Sequence, residues 1–201
     1  LTNSRLHLCR VSCLESLMLI QNAQSEGLPV TSDVAIHQLF FDESSIDNFN
    51  SDFHVMPPFR SNEDLVALHQ AVKKETITAI CSDHQPHNED AKQAPFSDTQ
   101  PGISSIELLL PLLMELVELK IIDMSVAIAK VTSNPSEILG IDAGVIAKGL
   151  PADLCIIKKE AWLFDEAKIL SSGKNNPFLG RKFNYLVDKT ICDGKIVYEK
   201  R

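Results

Sequence analysis

The sequence lacks a cluster of lysine or arginine residues and lacks any long apolar run, and each absence excludes a class of protein. Lysine and arginine total 19 against 27 acidic residues, for a formal net charge of −8. Nucleic-acid binders need a basic face, so we predict no nucleic-acid partner. The densest apolar stretch, residues 108–119, contains Glu115 and Glu118 and is far shorter than the roughly 20 residues of a membrane span. We therefore predict no membrane partner.

Cysteine pairs at the spacing of metal or redox motifs are also absent. The five cysteines are widely scattered, and no Cys-x-x-Cys pair exists. An odd number of such cysteines, mostly in strand-like runs, predicts buried reduced thiols and a cytoplasmic location. The 201 residues suffice for one sizeable core, or a core with a small appendage. The chain opens at Leu1 with polar residues before a strand-like run, so we expect a piece of a longer protein.

Short apolar runs alternate with helical patterns through the first two-thirds of the chain. Strands are predicted at residues 6–11, 29–36 and 76–82. Helices are predicted at residues 12–26, 64–73, 106–119, 124–131 and 134–140. Alternating strands and helices of these lengths predict βαβ units and a parallel sheet.

Polar residues at three predicted helix starts indicate N-terminal caps. Ser12 with Glu15, and Ser104 with Glu107, have the spacing of capping boxes. Ser61 is predicted to cap the helix between them.

From about residue 144 the pattern changes to short strands separated by turn residues. Strands are predicted at residues 145–147, 153–157, 187–192 and 195–198, and Asp193-Gly194 is a favoured hairpin pair. We therefore predict a boundary, with an α/β unit at residues 1–143 and a small β unit at residues 144–201.

Polar side chains follow the three predicted strands of the first unit. The first strand ends at Arg10, the second at His37 and the third at Asp83, with His84 and His87 just beyond. In parallel α/β barrels the carboxyl ends of the strands meet at one mouth, and histidine and aspartate there fit a metal site. Taken singly, each has a structural interpretation, since a lone histidine after an apolar run is more often a hydrogen-bonded structural residue.

The order of these residues resembles that of dihydroorotases and related cyclic amidohydrolases of the amidohydrolase superfamily. Segment 83–87, Asp-His-Gln-Pro-His, is similar to the signature after their last barrel strand. Further similar segments follow in order at residues 7–12, 34–39, 53–60, 100–102, 134–140, 149–154, 176–180 and 193–195. The resemblance implies an α/β fold, with residues 1–143 as the C-terminal part of a (β/α)8 TIM-type barrel and residues 144–201 as a segment of a small β-sandwich.

The resemblance also implies a zinc site at the strand ends. In active relatives the positions of Arg10 and His37 hold zinc-binding histidines, and the position of Asp83 holds an aspartate that is both ligand and general base. His37 and Asp83 keep this metal pattern, whereas Arg10 replaces a ligand. The other zinc ligands of such enzymes belong to earlier barrel strands, which this sequence does not contain.

Substrate contacts are implied at three further positions. The residues at His87 and Gly102 help to hold the substrate, and those positions keep the pattern. The position of Met56 holds an asparagine that hydrogen-bonds the substrate, and methionine cannot do so usefully.

Arg10 has a direct physical consequence for the metal. A guanidinium has no free lone pair and stays protonated, so Arg10 cannot bind zinc and would repel it. We hypothesise that Arg10 substitutes for the missing cation by pairing with Asp83, an arrangement whose loss would cost ~3–5 kcal/mol in a buried setting.

Two interpretations follow from the resemblance. Segments 8–12, 81–84 and 173–180 look closer to non-catalytic dihydroorotase homologues, which are structural partners of aspartate transcarbamoylase in pyrimidine synthesis. Catalysis would then be weak or absent, and zinc unnecessary. The alternative is an active zinc-dependent dihydroorotase that interconverts N-carbamoyl-aspartate and dihydroorotate, or an enzyme that hydrolyses another cyclic amide. Both interpretations imply the N-terminal remainder of the same protein as a partner, and a homo-oligomer.

Overall fold

The computed structural model describes residues 4–200, and its first half contains a parallel sheet of three strands in sequence order. The strands are β1 (Leu6–Leu8), β2 (Val30–Ala35) and β3 (Ala79–Cys81). The helices α1 (Leu14–Ser25) and α2 (Asn62–Lys73) lie between them in the chain, and a 3₁₀ turn (Ile36–Leu39) follows β2 directly. The predicted alternation and the parallel sheet are confirmed.

Three further α-helices and a second sheet follow in the chain, with short 3₁₀ turns in the connecting segments. The helices are α3 (Leu109–Glu118), α4 (Met124–Ala129) and α5 (Ser133–Leu139), and the antiparallel strands are β4 (Leu154–Leu163), β5 (Lys182–Cys192) and β6 (Lys195–Glu199). Asp193 and Gly194 both have positive φ, 47° and 74°, which suits the predicted hairpin turn between β5 and β6. The predicted strand at residues 145–147 is wrong, since those residues form no strand.

Of the three predicted helix caps, one forms and two are replaced by hydrogen bonds from residues distant in sequence. Ser61 caps α2, as predicted, and also forms a reciprocal capping box with Asp64, which was not predicted. The box predicted at Ser12 is wrong, because α1 begins after Cys13 and the amide of Leu14 donates to Asp64 Oδ1 at 2.8 Å. The same aspartate therefore serves the starts of two helices.

The box predicted at Ser104 is also wrong, because a histidine ring takes its place. The amides of Ser105 and Ile106 both donate to His84 Nδ1 at 3.0 Å. The Glu107 carboxylate accepts instead from the amide of Leu170 at 2.9 Å, far along the chain.

One hydrophobic core joins the two sheets. It contains residues of α1, β2, α2 and α3 and also four side chains that follow the predicted boundary at residue 144: Phe164, Ile169, Phe178 and Phe183. At the edge of this core, Arg181 pairs with Glu115 of α3 at 2.5 Å and lies over the ring of Phe40. The division at residues 143 and 144 stays a prediction, and the packing across it is extensive.

The cysteines are free thiols, as expected, but they are more exposed than predicted. Cys9, Cys155 and Cys192 are exposed, while Cys13 and Cys81 are partly buried. Both Cys155 and Cys192 lie in the second sheet, where strand-like sequence does not guarantee a covered face. Among residues 4–200, no helix combines the length and apolar character needed to cross a membrane.

Candidate active site at the carboxyl ends of the parallel strands

Arg10, His37 and Asp83 lie together beyond the carboxyl ends of β1, β2 and β3, and we call these three residues the strand-end site. Arg10 Nη1 lies 3.4 Å from Asp83 Oδ1, and His37 Nε2 lies 4.0 Å from Asp83 Oδ2. These distances confirm that the three residues converge, as predicted. They converge because parallel strands bring their carboxyl ends to one edge of a sheet. The roles implied for them stay predictions.

The Arg10–Asp83 pair is less buried than the hypothesis assumed. The Asp83 side chain is 11% exposed, but the Arg10 side chain is 44% exposed. Solvent screens such a pair, so it is expected to contribute about 1 kcal/mol, below the range for fully buried pairs. Arg10 Nη1 also donates to the backbone carbonyl of Met56 at 3.4 Å, which holds the guanidinium beside the carboxylate.

His37 is buried and lacks a hydrogen-bond partner at one ring nitrogen. Its side chain is 1% exposed, and its ring meets Phe59 edge to face at 5.8 Å. Among residues 4–200, Nδ1 has no partner. Burial lowers the pKa of His37 to about 4, against the opposing effect of the Asp83 carboxylate, so the ring is neutral near pH 7.

This neutral His37 predicts a loss of stability in mild acid. The unfolded chain takes up the proton near pH 6.5 while the folded chain does not, so stability is full above that pH and falls toward pH 4. We expect the wild type to lose up to about 3 kcal/mol more than a His37→Asn variant between pH 7 and pH 4. Urea unfolding in chelator measures this, and parallel pH profiles for the two proteins would contradict it.

Two strand-end residues have a backbone conformation that side chains rarely adopt. The φ angles of Arg10 and Asp83 are 57° and 46°, in the left-handed region. Such residues cost about 1 kcal/mol or more each and persist where the surrounding structure fixes them, often at functional sites. The Arg10 amide donates to Asp33 Oδ1 at 2.8 Å and helps to fix the turn after β1.

The residues predicted to hold substrate lie on the segment after β3, residues 83–104, which we call the 83–104 loop. Gln85 Nε2 donates to Asp83 Oδ1 at 2.9 Å, and His87 Nε2 lies 3.0 Å from the Pro101 carbonyl. Gly102, with φ of 142°, packs so closely that an added Cβ would lie 2.5 Å from Gln85 Cβ and 3.1 Å from His87 Nε2. His87 and Gly102 are therefore neighbours, and Gln85 connects them to Asp83.

Met56 contributes its backbone to the site, while its side chain is mostly exposed, at 58%. The sulphur side chain offers no amide where the resemblance implies one. His84, which the sequence placed among the polar residues after β3, has a structural role. Its Nδ1 accepts from the amides of Ser105 and Ile106 at the start of the 3₁₀ turn (Ile106–Leu108) before α3, and its Nε2 bonds Ser171 Oγ at 3.1 Å.

Sequence reasoning missed two residues that shape the site. Gln85 stands inside the quoted signature but received no role, and its contact with Asp83 spans only two positions. Asn175 stands in a segment noted only for resemblance, yet its side chain bonds the backbone of His87 at 2.7 Å and of Gly102 at 2.8 Å. Its distance of 88 residues from His87 left no local signal for this contact.

A polar row on the parallel sheet has potential metal ligands but is already hydrogen-bonded. Atoms of His7, Cys9 and Asp33 lie within 4.8 Å of one another. Asp33 Oδ2 lies 2.9 Å from His7 Nε2, and Asp33 Oδ1 accepts from the Arg10 amide and from Cys81 Sγ. Burial and the Asp33 carboxylate raise the pKa of the Cys9 thiol, which disfavours the thiolate that a metal needs. These bonds explain the row without an ion.

The described residues do not form a zinc site by themselves. His37 can offer a lone pair and Asp83 a carboxylate, whereas a catalytic zinc needs three protein ligands. The remaining strand end, after β1, presents the Arg10 guanidinium, a fixed positive charge 3.4 Å from the Asp83 carboxylate that would have to bind the zinc.

Fold and site together define an α/β protein whose titratable side chains lie at the carboxyl ends of parallel strands, as in barrel hydrolases. The amidohydrolase family matches residues 6–197, nearly the whole chain. The chain therefore belongs to the amidohydrolase family, as a dihydroorotase-like member.

Similar proteins agree with this assignment. The chain is 40% identical over 195 residues to the dihydroorotase-like protein of Pseudomonas aeruginosa, covering 97% of the chain and 46% of that relative. It is 36% identical over 200 residues to a dihydroorotase of Geotalea daltonii, covering 99% of the chain and 47% of that relative. An L-hydantoinase structure from Arthrobacter aurescens superposes with a TM-score of 0.92 at 25% identity, covering 98% of the chain and 46% of that structure. The chain thus spans slightly less than half the length of these relatives.

Proposed function

We propose that the chain is the C-terminal part of a dihydroorotase-like protein of pyrimidine biosynthesis whose metal site is degenerate. In this proposal β1 to β3 are barrel strands, and β4 to β6 belong to a small β-sandwich. The protein would have a structural role beside aspartate transcarbamoylase instead of a catalytic one.

The contact between Arg10 and Asp83 is the observation that carries this proposal. The side chain implied to be a zinc ligand is replaced by a guanidinium whose Nη1 lies 3.4 Å from Asp83 Oδ1. Gln85 donates to the same oxygen at 2.9 Å. Asp83 is thereby supplied with positive charge and a hydrogen bond by the protein, so that it needs no metal to compensate its charge.

A second feature supports a loss of catalysis. The resemblance places a substrate-binding amide at position 56, and Met56 offers there only its backbone carbonyl, which already accepts from Arg10.

Relatives named dihydroorotase and dihydroorotase-like protein both match the chain at similar coverage. The partner role rests on the resemblance of segments 8–12, 81–84 and 173–180 to the non-catalytic homologues.

Metal content and turnover of the intact protein test the proposal. We expect substoichiometric zinc after purification with added zinc, and no formation of dihydroorotate from N-carbamoyl-aspartate above the rate of an Asp83→Asn variant. That variant is the matched control, because it removes the carboxylate that any family mechanism would use as base. Stoichiometric zinc with turnover that Asp83→Asn abolishes would establish the active enzyme instead.

The partner role has its own measurement. The intact protein is mixed with aspartate transcarbamoylase from the same source and sedimented, and we expect a joint complex that Asp83→Asn leaves intact. Separate sedimentation of the two proteins at micromolar concentrations would contradict the structural role without bearing on the metal site.

A further inference from the structure

A single buried side chain from the second half of the chain holds the 83–104 loop. Asn175 is 7% exposed, and its Oδ1 accepts from the His87 amide at 2.7 Å. Its Nδ2 donates to the carbonyl of Gln85 at 3.1 Å and to the carbonyl of Gly102 at 2.8 Å. One carboxamide thus bonds three backbone groups at both ends of the loop, which only an amide side chain with one acceptor and two donors can do.

The backbone around Asn175 is fitted to the same loop. The carbonyl of Asn175 accepts from the amide of Ser104 at 2.9 Å, and Asn176 Nδ2 donates to the carbonyl of Ser104 at 2.6 Å. Two residues earlier, Gly173 lies against the His87 backbone so closely that a Cβ there would be 2.4 Å from His87 N. The approach of the two segments is therefore specified at several positions.

The contacts of Asn175 continue to the strand-end site. Gln85, whose carbonyl Asn175 holds, donates through its own side chain to Asp83 Oδ1 at 2.9 Å. The other two groups that Asn175 holds belong to His87 and Gly102. All three connections lead to residues at or beside the site.

We propose that Asn175 is a positioning residue, whose carboxamide fixes His87 and Gly102 relative to Asp83. The assignment of His87 and Gly102 to ligand binding rests on the family resemblance behind the proposed function, whereas the positioning rests on the hydrogen bonds alone. Within residues 4–200, the Asn175 side chain forms hydrogen bonds to the backbone of Gln85, His87 and Gly102 and none to Asp83, so it acts through the residues that it holds.

Two variants of the intact protein test the positioning. Asn175→Ala removes all three bonds, and Asn175→Asp keeps the shape and the acceptor but loses both donors. Asn22→Asp makes the same chemical change at an exposed position of α1 and is the matched control. We expect backbone amides of the 83–104 loop, including His87 and Gly102, to exchange hydrogen at least about 10-fold faster in both Asn175 variants. Amides of β2 should keep their wild-type rates.

A spectroscopic signal separates positioning from a general loss of stability. The imidazole proton resonances of His87 should shift in both Asn175 variants and stay unchanged in Asn22→Asp, because the ring loses its fixed place beside Pro101. Equal acceleration of exchange in β2 and in the loop would show a general structural role and overturn the proposal. Unchanged loop exchange would overturn it as well.

Ligand binding is measured in parallel with L-dihydroorotate as the probe. If the wild type binds the probe, we expect affinity to fall at least about 10-fold in both Asn175 variants, below their unfolding temperatures. Unchanged affinity would overturn the positioning of a ligand site. If the wild type does not bind, the ligand role of His87 and Gly102 fails, while the exchange and resonance measurements still decide whether Asn175 positions them.

Discussion

Replacing Arg10 with histidine is expected to raise the zinc affinity of the intact protein at least about 100-fold. The change removes a fixed cation 3.4 Å from Asp83 and supplies an imidazole at the strand end. Because the Arg10 side chain is 44% exposed, solvent screens its repulsion of a nearby zinc ion, and most of the gain should come from the added imidazole ligand. Competition with a chromophoric chelator measures the affinity. In chelator without zinc, Arg10→His should be about 1 kcal/mol less stable than wild type, because Asp83 loses its cation.

Two controls separate the charge from the ligand. Arg10→Lys keeps a cation and should bind zinc as weakly as wild type, whereas Arg10→Gln removes the charge without adding an imidazole and should fall between. An Arg10→His protein that bound zinc no better than Arg10→Gln would show that position 10 is not a ligand position. Equal stability of Arg10→His and wild type in chelator would show that the guanidinium does not stabilise Asp83.

Replacing Gly173 with alanine is expected to lower the free energy of unfolding by about 3 kcal/mol. The new Cβ would lie 2.4 Å from both N and O of His87 and 2.8 Å from the carbonyl carbon of Pro86. These are backbone atoms, which cannot rotate away as a side chain would, so the two segments must separate. Since φ at Gly173 is not positive, alanine would otherwise stabilise by about 0.4–1 kcal/mol through the unfolded state.

Gly27→Ala provides the comparison for this variant. Gly27 has φ of 74° and nothing within 4 Å of an added Cβ, so its substitution costs only the backbone strain, about 1 kcal/mol. Urea unfolding of both variants measures the difference. A Gly173→Ala protein as stable as wild type would mean that the loop and the 173–176 segment do not approach as described, and the contacts of Asn175 would be in doubt with it.

The sequence predicted those parts of the fold that depend on near neighbours. The alternation of strands and helices, the Ser61 cap and the Asp193-Gly194 turn follow from local periodicity or from residues three or fewer positions apart. The predicted boxes at Ser12 and Ser104 failed because Asp64 and His84, distant in sequence, take over the bonds. A local motif shows only that a helix start can be capped in a given way, and tertiary contacts determine whether that cap forms.

The candidate site was likewise only partly predictable from the sequence. The meeting of Arg10, His37 and Asp83 was predictable, because parallel strands place their carboxyl ends together whatever the sequence between them. The degree of exposure of Arg10 was not predictable, since it depends on the backbone turn and on the carbonyl of Met56. The role of Asn175 could not be predicted from the sequence, because a hydrogen bond between residues 88 positions apart leaves no periodic pattern.

The shared core affects the order in which the protein can fold as it is synthesised. Phe178 and Phe183 fill the same interior as α1, β2 and α2, yet they leave the ribosome after nearly all the other core residues. Synthesis adds about 5–20 residues per second, so the apolar surface of the earlier helices stays uncovered for several seconds. We therefore expect a nascent chain that ends before residue 183 to expose apolar surface that chaperones bind, and a premature stop codon ahead of that residue to yield an aggregating product instead of a smaller folded one.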